Sequence, residues 1–306
     1  MGTAFVWRGE FGLVIRGGWR FSRQAMLNWL FRRKTDGWEE AFARLRAPKT
    51  RRGLDLDIWA VRRHLGHSPL AFAELPVDVG AYRAWMTRAD YGRFHPGYYA
   101  ENIAEKSLEH FVATQLLDLQ PGGVYLDVAS QNGVAAEVYG RLYGVETLIQ
   151  DISFPAGIHG REIGGDAGNL PLPNDSVDVM ALHCSFEHFE GESDMAFIRE
   201  AGRVLRPGGR CAIVPLYLFQ HRLYLTNPLL SVPAGVRFDR GIVVHASREW
   251  GNRHGRFYSV RQFLRRVWAN RGPLEVQIFE VPNAAEVSPT CYLRFAALLS
   301  KGVKKD

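Results

Sequence analysis

From residue 101 onward, short apolar runs alternate with amphipathic stretches, and this alternation constrains the fold more than any other feature of the chain. Residues 101–119 carry apolar side chains at helical spacing and are stopped by Pro121-Gly122-Gly123, which predicts a helix with a sharp end. Residues 124–128 form an apolar run too short for a helix, so they read as a buried strand. The helical signal returns at 132–143 and 193–205, the second ended by Pro207-Gly208-Gly209, with strands expected at 147–149, 176–182 and 210–215. Strands alternating with helices predict an α/β fold: a doubly wound, mostly parallel sheet covered on both faces. A helix at 259–270 and two strands at 274–281 and 290–299 follow. So close a final pair predicts an antiparallel C-terminal strand rather than a crossover.

Charge is distributed unevenly along the 306 residues. The net +6 divides into +8 over 1–52, −9 over 53–231 and +7 over 232–306, two basic flanks around an acidic middle. Cys184, Cys211 and Cys291 are far apart with no CxxC pair, so neither a zinc site nor a disulfide framework is expected, and the sparse count suits a reducing compartment. No apolar run reaches the roughly 18–20 residues of a membrane span. Arg8, Glu10, Arg16, Arg20 and Arg23 interrupt every candidate signal-peptide core, which makes the cytoplasm the expected location. Residues 1–97 read as a basic helical extension. In it Phe21, Ala25, Trp29 and Leu30 share a helical face between arginines, with further helices at 37–46 and 56–65 and a basic turn at 47–53. That face suits a lid packed on the rest of the chain, and its aromatic–arginine pattern also admits peripheral contact with a membrane surface. No nucleic-acid-binding module is recognisable, so nucleic acid is not an expected partner.

The chemistry is concentrated in Val124-Tyr-Leu-Asp-Val-Ala-Ser-Gln-Asn-Gly133, a strand ending near Asp127 and turning into a helix. Such turns at the carboxyl edge of a parallel sheet make ligand crevices, and the helix start offers free N–H groups to an anionic ligand. Asp151 closes the next strand, where a carboxylate can accept ribose hydroxyls. Downstream come Gly165-Asp-Ala-Gly-Asn-Leu-Pro-Leu-Pro173, Asn174-Asp-Ser-Val-Asp178, Cys184-Ser-Phe-Glu-His-Phe189 and Glu200-Ala-Gly-Arg-Val-Leu-Arg-Pro-Gly-Gly209. In order and spacing these resemble the class I S-adenosylmethionine-dependent methyltransferases, especially the group acting on small molecules, sugars and lipids. The resemblance covers roughly residues 98–216 and implies a Rossmann-like methyltransferase domain over 98–306, with a substrate-binding insertion at about 217–258.

The resemblance implies a role for each matching residue. Asp127 would organise the cofactor loop and meet the methionine amine, with Ala129, Gln131 and Gly133 at the three loop positions usually held by glycine. Asp151 would bind the ribose, Ile152 would pack beside adenine, and Asp166 with Ala167 would meet the adenine edge. His183 would face the sulfonium end, and Tyr98 or Tyr99 would cover the cofactor. Of the loop glycines only Gly133 remains, and Gln131 brings a long side chain to a place normally bare; Asn132 beside it tolerates left-handed geometry. Only 15 positions separate Asp151 from Asp166, so a truncated helix or loop is expected between them.

Methyl transfer to a hydroxyl needs a base, and Glu187-His188 makes His188 a candidate, with His183 the other. Either could equally shape the pocket wall. The Asn-Pro-Pro-Tyr motif typical of the amine-methylating members of that family does not follow the fourth strand, so the resemblance implies an oxygen or carbon acceptor rather than a base nitrogen. The insertion is rich in aromatic and basic residues, among them Arg222, His245, Arg253, His254 and Tyr258. This suits an anionic or sugar-like small-molecule acceptor; the plainer alternative is a solvated loop packed on the N-terminal helices. The leading expectation is therefore methyl transfer to a hydroxyl of a sugar or glycan precursor. A non-catalytic scaffold, or an enzyme acting on quinone, lipid or RNA, are the alternatives.

Overall fold

A computed structural model describes residues 37–50 and 55–303. The aromatic–arginine face around Phe21–Leu30 and part of the basic turn at 47–53 lie outside those residues. The chain opens with α1 (Trp38–Arg44), β1 (Lys49–Thr50), α2 (Ile58–Gly66), β2 (Ala71–Glu74), α3 (Val79–Ala89) and α4 (Tyr91–Phe94). Then follow α5 (Ile103–Leu116), β3 (Val124–Val128), α6 (Ala135–Tyr143), β4 (Glu146–His159), β5 (Glu162–Gly164), β6 (Val177–His183), α7 (Ser193–Val204) and β7 (Leu205–Val214). The last third comprises β8 (Leu223–Thr226), α8 (Pro228–Ser231), β9 (Val243–Ala246), β10 (Gly255–Phe257), α9 (Val260–Arg266), β11 (Leu274–Glu280) and β12 (Phe295–Lys301).

Eight strands form one sheet in the order β2-β11-β12-β7-β6-β3-β4-β5. β3 runs parallel to β4 and β6, β6 runs parallel to β7, and β12 runs antiparallel to both β7 and β11. This is the Rossmann-like arrangement. Pleating sends successive side chains to opposite faces, so Leu126, Val128, Met180 and Leu182 join one core while Tyr125, Val179 and Ala181 join the other. Phe197, Ile198 and Ala201 of α7 cover the first face; Leu108 and Val112 of α5 and Tyr139 of α6 cover the second. Strand order reverses between β3 and β6, which opens a crevice at their carboxyl ends.

Four expectations are corrected. No helix forms between Asp151 and Asp166: β4 stays extended to His159, turns at Gly160 (φ +63°) and returns as β5. A Cβ on Gly164 would lie 1.9 Å from the Pro155 carbonyl oxygen, so this close return admits only glycine. The last strand begins at Phe295 rather than 290, because the backbone N–H groups of Tyr292 and Leu293 instead donate to Glu105 of α5. Residues 71–74, read as helix-and-loop territory, form β2, which pairs parallel with β11 at the sheet edge. The insertion is not a solvated loop. β8, β9 and β10 make a second sheet, to which β1 adds a strand in the order β1-β9-β8-β10, around a small core of Trp38, Leu45, Tyr224, Ile242 and Val244.

Candidate active site

The crevice beyond β3, β4 and β6 is a cleft of about 1280 Å³. That is above the range of about 300–1000 Å³ usual for a pocket that takes one drug-sized ligand. Tyr98, Tyr99, Asp127, Ala129, Gln131, Gly133, Asp151, Ile152, Asp166, Ala167, His183, His188, Arg253 and His254 all line it. Three residues expected at the acceptor do not. Arg222 is exposed and its guanidinium reaches the Arg240 carbonyl; His245 lies within β9 of the second sheet. Tyr258 is core, stacked on Phe186 with its hydroxyl donating to Asp194 at 2.7 Å.

The turn after β3 is built without the usual glycines. Ala129 (φ +52°) and Gln131 (φ +44°) take the left-handed conformation that glycine adopts freely, whereas Asn132 does not. Side chains hold them there. The Ala129 N–H donates to the Gln150 amide oxygen (3.1 Å), and Gln150 is anchored in turn on the Gly165 carbonyl; the Gln131 N–H donates to Asp151 Oδ2 (3.0 Å). Gly133 is needed for space rather than for φ: a Cβ there would lie 2.8 Å from the Ser130 carbonyl oxygen. Asp151 also accepts from the Ser153 N–H and hydroxyl through Oδ1 (2.8 and 2.7 Å). Three of its roughly four acceptor positions are therefore filled, which leaves Oδ2 able to take one more donor. Ile152 beside it is 77% exposed, an apolar side chain presented on the cleft wall. Asp166 accepts the Gly168 N–H through Oδ1.

Asp127 is buried at the floor, and burial pushes its carboxyl up to about 7, against the pull of hydrogen bonds from Tyr125 and the Ala136 N–H. His183 stands next to it in the wall. Its Nε2 lies 3.4 and 3.5 Å from the Tyr125 and Tyr139 hydroxyls, Nδ1 has no partner, and burial lowers the ring to about 3. A ring so reluctant to take a proton is a poor base at neutral pH. His188 differs. Its Nδ1 lies 2.5 Å from the His254 carbonyl oxygen, which can only accept, so the neutral ring carries its proton there. Nε2 is left basic, 3.4 Å from Glu187 Oε1.

Several cleft residues escaped the sequence reading. Lys106 and Glu109, one turn apart on α5, form a buried ion pair with Nζ–Oε distances of 2.9 and 3.2 Å. Burial raises the Glu109 carboxyl, and the ionised pair keeps Lys106 protonated. Cys184, Tyr217 and Tyr292 complete this inner end: Cys184 Sγ lies 3.3 Å from Glu187 Oε1 and 3.5 Å from the Tyr217 hydroxyl. The loop carrying Glu187 and His188 is clamped from the second sheet. Arg256, 0% exposed, donates to the carbonyls of Phe189 and Gly191 (both 2.9 Å), pairs with Asp194 (2.8 Å), and meets the Tyr224 hydroxyl. Arg266 of α9 binds the same Asp194 and the same Gly191 carbonyl.

Residues 123–213 match a family model described as a methyltransferase domain. Similar solved structures include a chain from a complex between the Haloferax volcanii Trm112 methyltransferase activator and a methyltransferase; identity is 13%, covering 75% of this chain and 99% of that one, with TM-score 0.45. Another is the geranyl diphosphate C-methyltransferase of Streptomyces coelicolor A3(2), at 15% identity, 80% and 96% coverage, and TM-score 0.42. A SAM-dependent methyltransferase from Aquifex aeolicus gives 12%, 73% and 98%, and 0.41. Among the described residues no helix is long and apolar enough to cross a membrane. Residues 123–213 thus resemble a methyltransferase domain.

Proposed function

We propose that this protein methylates a hydroxyl of a small-molecule acceptor of sugar or glycan-precursor type, with His188 as the base. The observation that carries the reading is the His188 tautomer. The His254 carbonyl fixes the ring proton on Nδ1, and Nε2 is presented at the cleft beside Glu187. A proton taken from an acceptor hydroxyl would sit on Nε2, where the Glu187 carboxylate stabilises the imidazolium.

The residues of the cleft fit the cofactor. Asp127 would hold the amine, the last open position of Asp151 a ribose hydroxyl, and the unused oxygen of Asp166 the adenine amino group. The exposed Ile152 and the Tyr98–Tyr99 pair, in edge contact at 4.9 Å, would cover the flat and apolar parts. Bound S-adenosylmethionine supplies an electrophilic methyl group; the chain's part is to orient the acceptor, exclude water and receive the proton. The scaffold alternative draws on Ala129 and Gln131, which stand where the cofactor loop usually has glycine. Residues 1–97 are taken as an extension that contributes β1 and β2 to the two sheets and 98–306 as the catalytic domain, and membrane contact by the aromatic–arginine face predicts co-sedimentation with anionic vesicles.

Calorimetry with S-adenosylmethionine and S-adenosylhomocysteine tests the assignment. Binding that Asp151→Ala abolishes is the expected result, and no heat at millimolar ligand favours the scaffold. Turnover against a metabolite extract, read by mass spectrometry, then identifies the acceptor.

A further inference from the structure

The inner end of the cleft has a charge and hydrogen-bond inventory that specifies more than "a hydroxyl". Lys106 donates to both carboxylate oxygens of Glu109 at 2.9 and 3.2 Å, and Arg294, which also lines the cleft, donates to the Leu293 carbonyl at 3.0 Å. Among the described residues the third Lys106 hydrogen has no oxygen partner. Glu187 is 1% exposed; its Oε1 faces Cys184 and His188, while Oε2 is buried with no partner among the described residues. An unmatched carboxylate oxygen away from water is costly and calls for a donor. The Tyr217 and Tyr292 hydroxyls, 3.5 and 4.0 Å from Cys184 Sγ, can each donate or accept.

Lys106 is taken up by Glu109, and Glu187 lines the same cleft. An anionic group entering it would face Glu109 and Glu187 with Lys106 already paired. A cluster of hydroxyls meets the opposite situation, because each hydroxyl both donates, as Glu187 Oε2 requires, and accepts, as the third Lys106 hydrogen requires. We propose that the acceptor presents an uncharged polyhydroxylated ring to this subsite, held by Glu187 and Lys106, and that rings bearing a carboxylate or phosphate are excluded. This rests on the methyltransferase reading and narrows its acceptor class.

The test is saturation-transfer NMR on the full chain saturated with S-adenosylhomocysteine. The probes are methyl glycosides of glucose, galactose, mannose and rhamnose, set against glucuronate, galacturonate and hexose 6-phosphates. At least one neutral glycoside should receive saturation and the charged sugars none. Glu187→Gln, which keeps the shape and removes the charge, should raise uronate binding about tenfold or more relative to the neutral sugar. Lys106→Met should remove neutral-sugar binding while S-adenosylhomocysteine still binds. Charged sugars that bind as well as neutral ones overturn the proposal; so does an absence of all neutral binding, or a Glu187→Gln protein with unchanged selectivity. Failure of S-adenosylhomocysteine itself to bind would instead sink the methyltransferase reading, so the two failures are distinct.

Discussion

Cofactor binding should be coupled to the loss of one proton, from Asp127. Burial raises this carboxyl to about 7, so the fold favours its protonated form. The sign follows from linkage: with the folded value above the unfolded one, the stability this group contributes is complete below about pH 4 and disappears as pH rises through about 7. A ligand ammonium acts the other way, because it needs the carboxylate. At about pH 6 only about a tenth of the free protein holds Asp127 ionised, so binding at about pH 6 should be about tenfold weaker than at about pH 8, a difference of about 1.4 kcal/mol. Calorimetry of S-adenosylhomocysteine at about pH 6, repeated in buffers of different ionisation enthalpy, should report release of close to one proton. The Asp127→Asn protein should bind more weakly at every pH and release none. Affinity that is flat across this range in the parent protein, with no proton release, would refute the placement of the ligand amine at Asp127.

The buried clamp makes a stability prediction. Asp194 is held below the usual carboxylate range: burial works to raise it, but the Arg266 hydrogen bond and the charges of Arg256 and Arg266 outweigh that. Asp194→Asn leaves two buried guanidiniums without a counter-charge and should cost about 3–5 kcal/mol, read as a lowered denaturant midpoint. In the parent protein, this contribution is present above the unfolded carboxylate value and lost as pH falls through the lower folded one. In the cofactor loop, Gln131→Gly should release left-handed strain of about 1 kcal/mol and tighten S-adenosylhomocysteine binding, whereas Gly133→Ala should weaken it. At the base, His188→Ala should lower kcat by about 10²-fold or more with little change in cofactor affinity. His183→Ala should act mainly on KM for the cofactor, and equal kcat losses in both variants would remove the distinction drawn between the two rings.

What could be read from the sequence was whatever depends on local pattern. β3, β6 and α7 fell where expected because an apolar run bounded by Gly or Pro, or apolar residues at helical spacing, fixes type and extent without reference to the rest of the chain. β2 was missed because an edge strand of four half-exposed residues has no such pattern; it exists only because β11 offers it hydrogen bonds. Glu105, Lys106 and Glu109 of α5 went unread for a related reason: they are buried because residues 292–293 and the cleft, distant in the chain, close over them. A charge density that high along a helix between two apolar faces was the available signal. In the insertion, composition pointed to the right segment but not to the right side chains. Arg253 and His254 line the cleft, whereas Arg222 and His245 do not, since strand pairing between β8 and β9 decides which residues face it.

The basic C-terminal third had suggested an anionic acceptor, and the fate of its arginines argues against that inference. Arg256 and Arg266 are tied to Asp194 in the interior, where they brace the loop that carries His188. Arg253 is paired with Glu190 at 2.6 Å, and Arg248 faces Glu39 at 3.9 Å while lying over the Trp38 ring. Arg271 stacks on Trp268. Arg253, Arg256 and Arg266 tie the second sheet and α9 to the loop after β6, a use to which their planar, multi-donor geometry is suited. Meanwhile the acidic middle of the chain delivers Asp127, Glu109, Glu187 and Asp151 to the cleft wall. A surplus of positive charge in a segment therefore says little about the charge of its ligand when much of that charge is held in ion pairs and ring contacts of the fold.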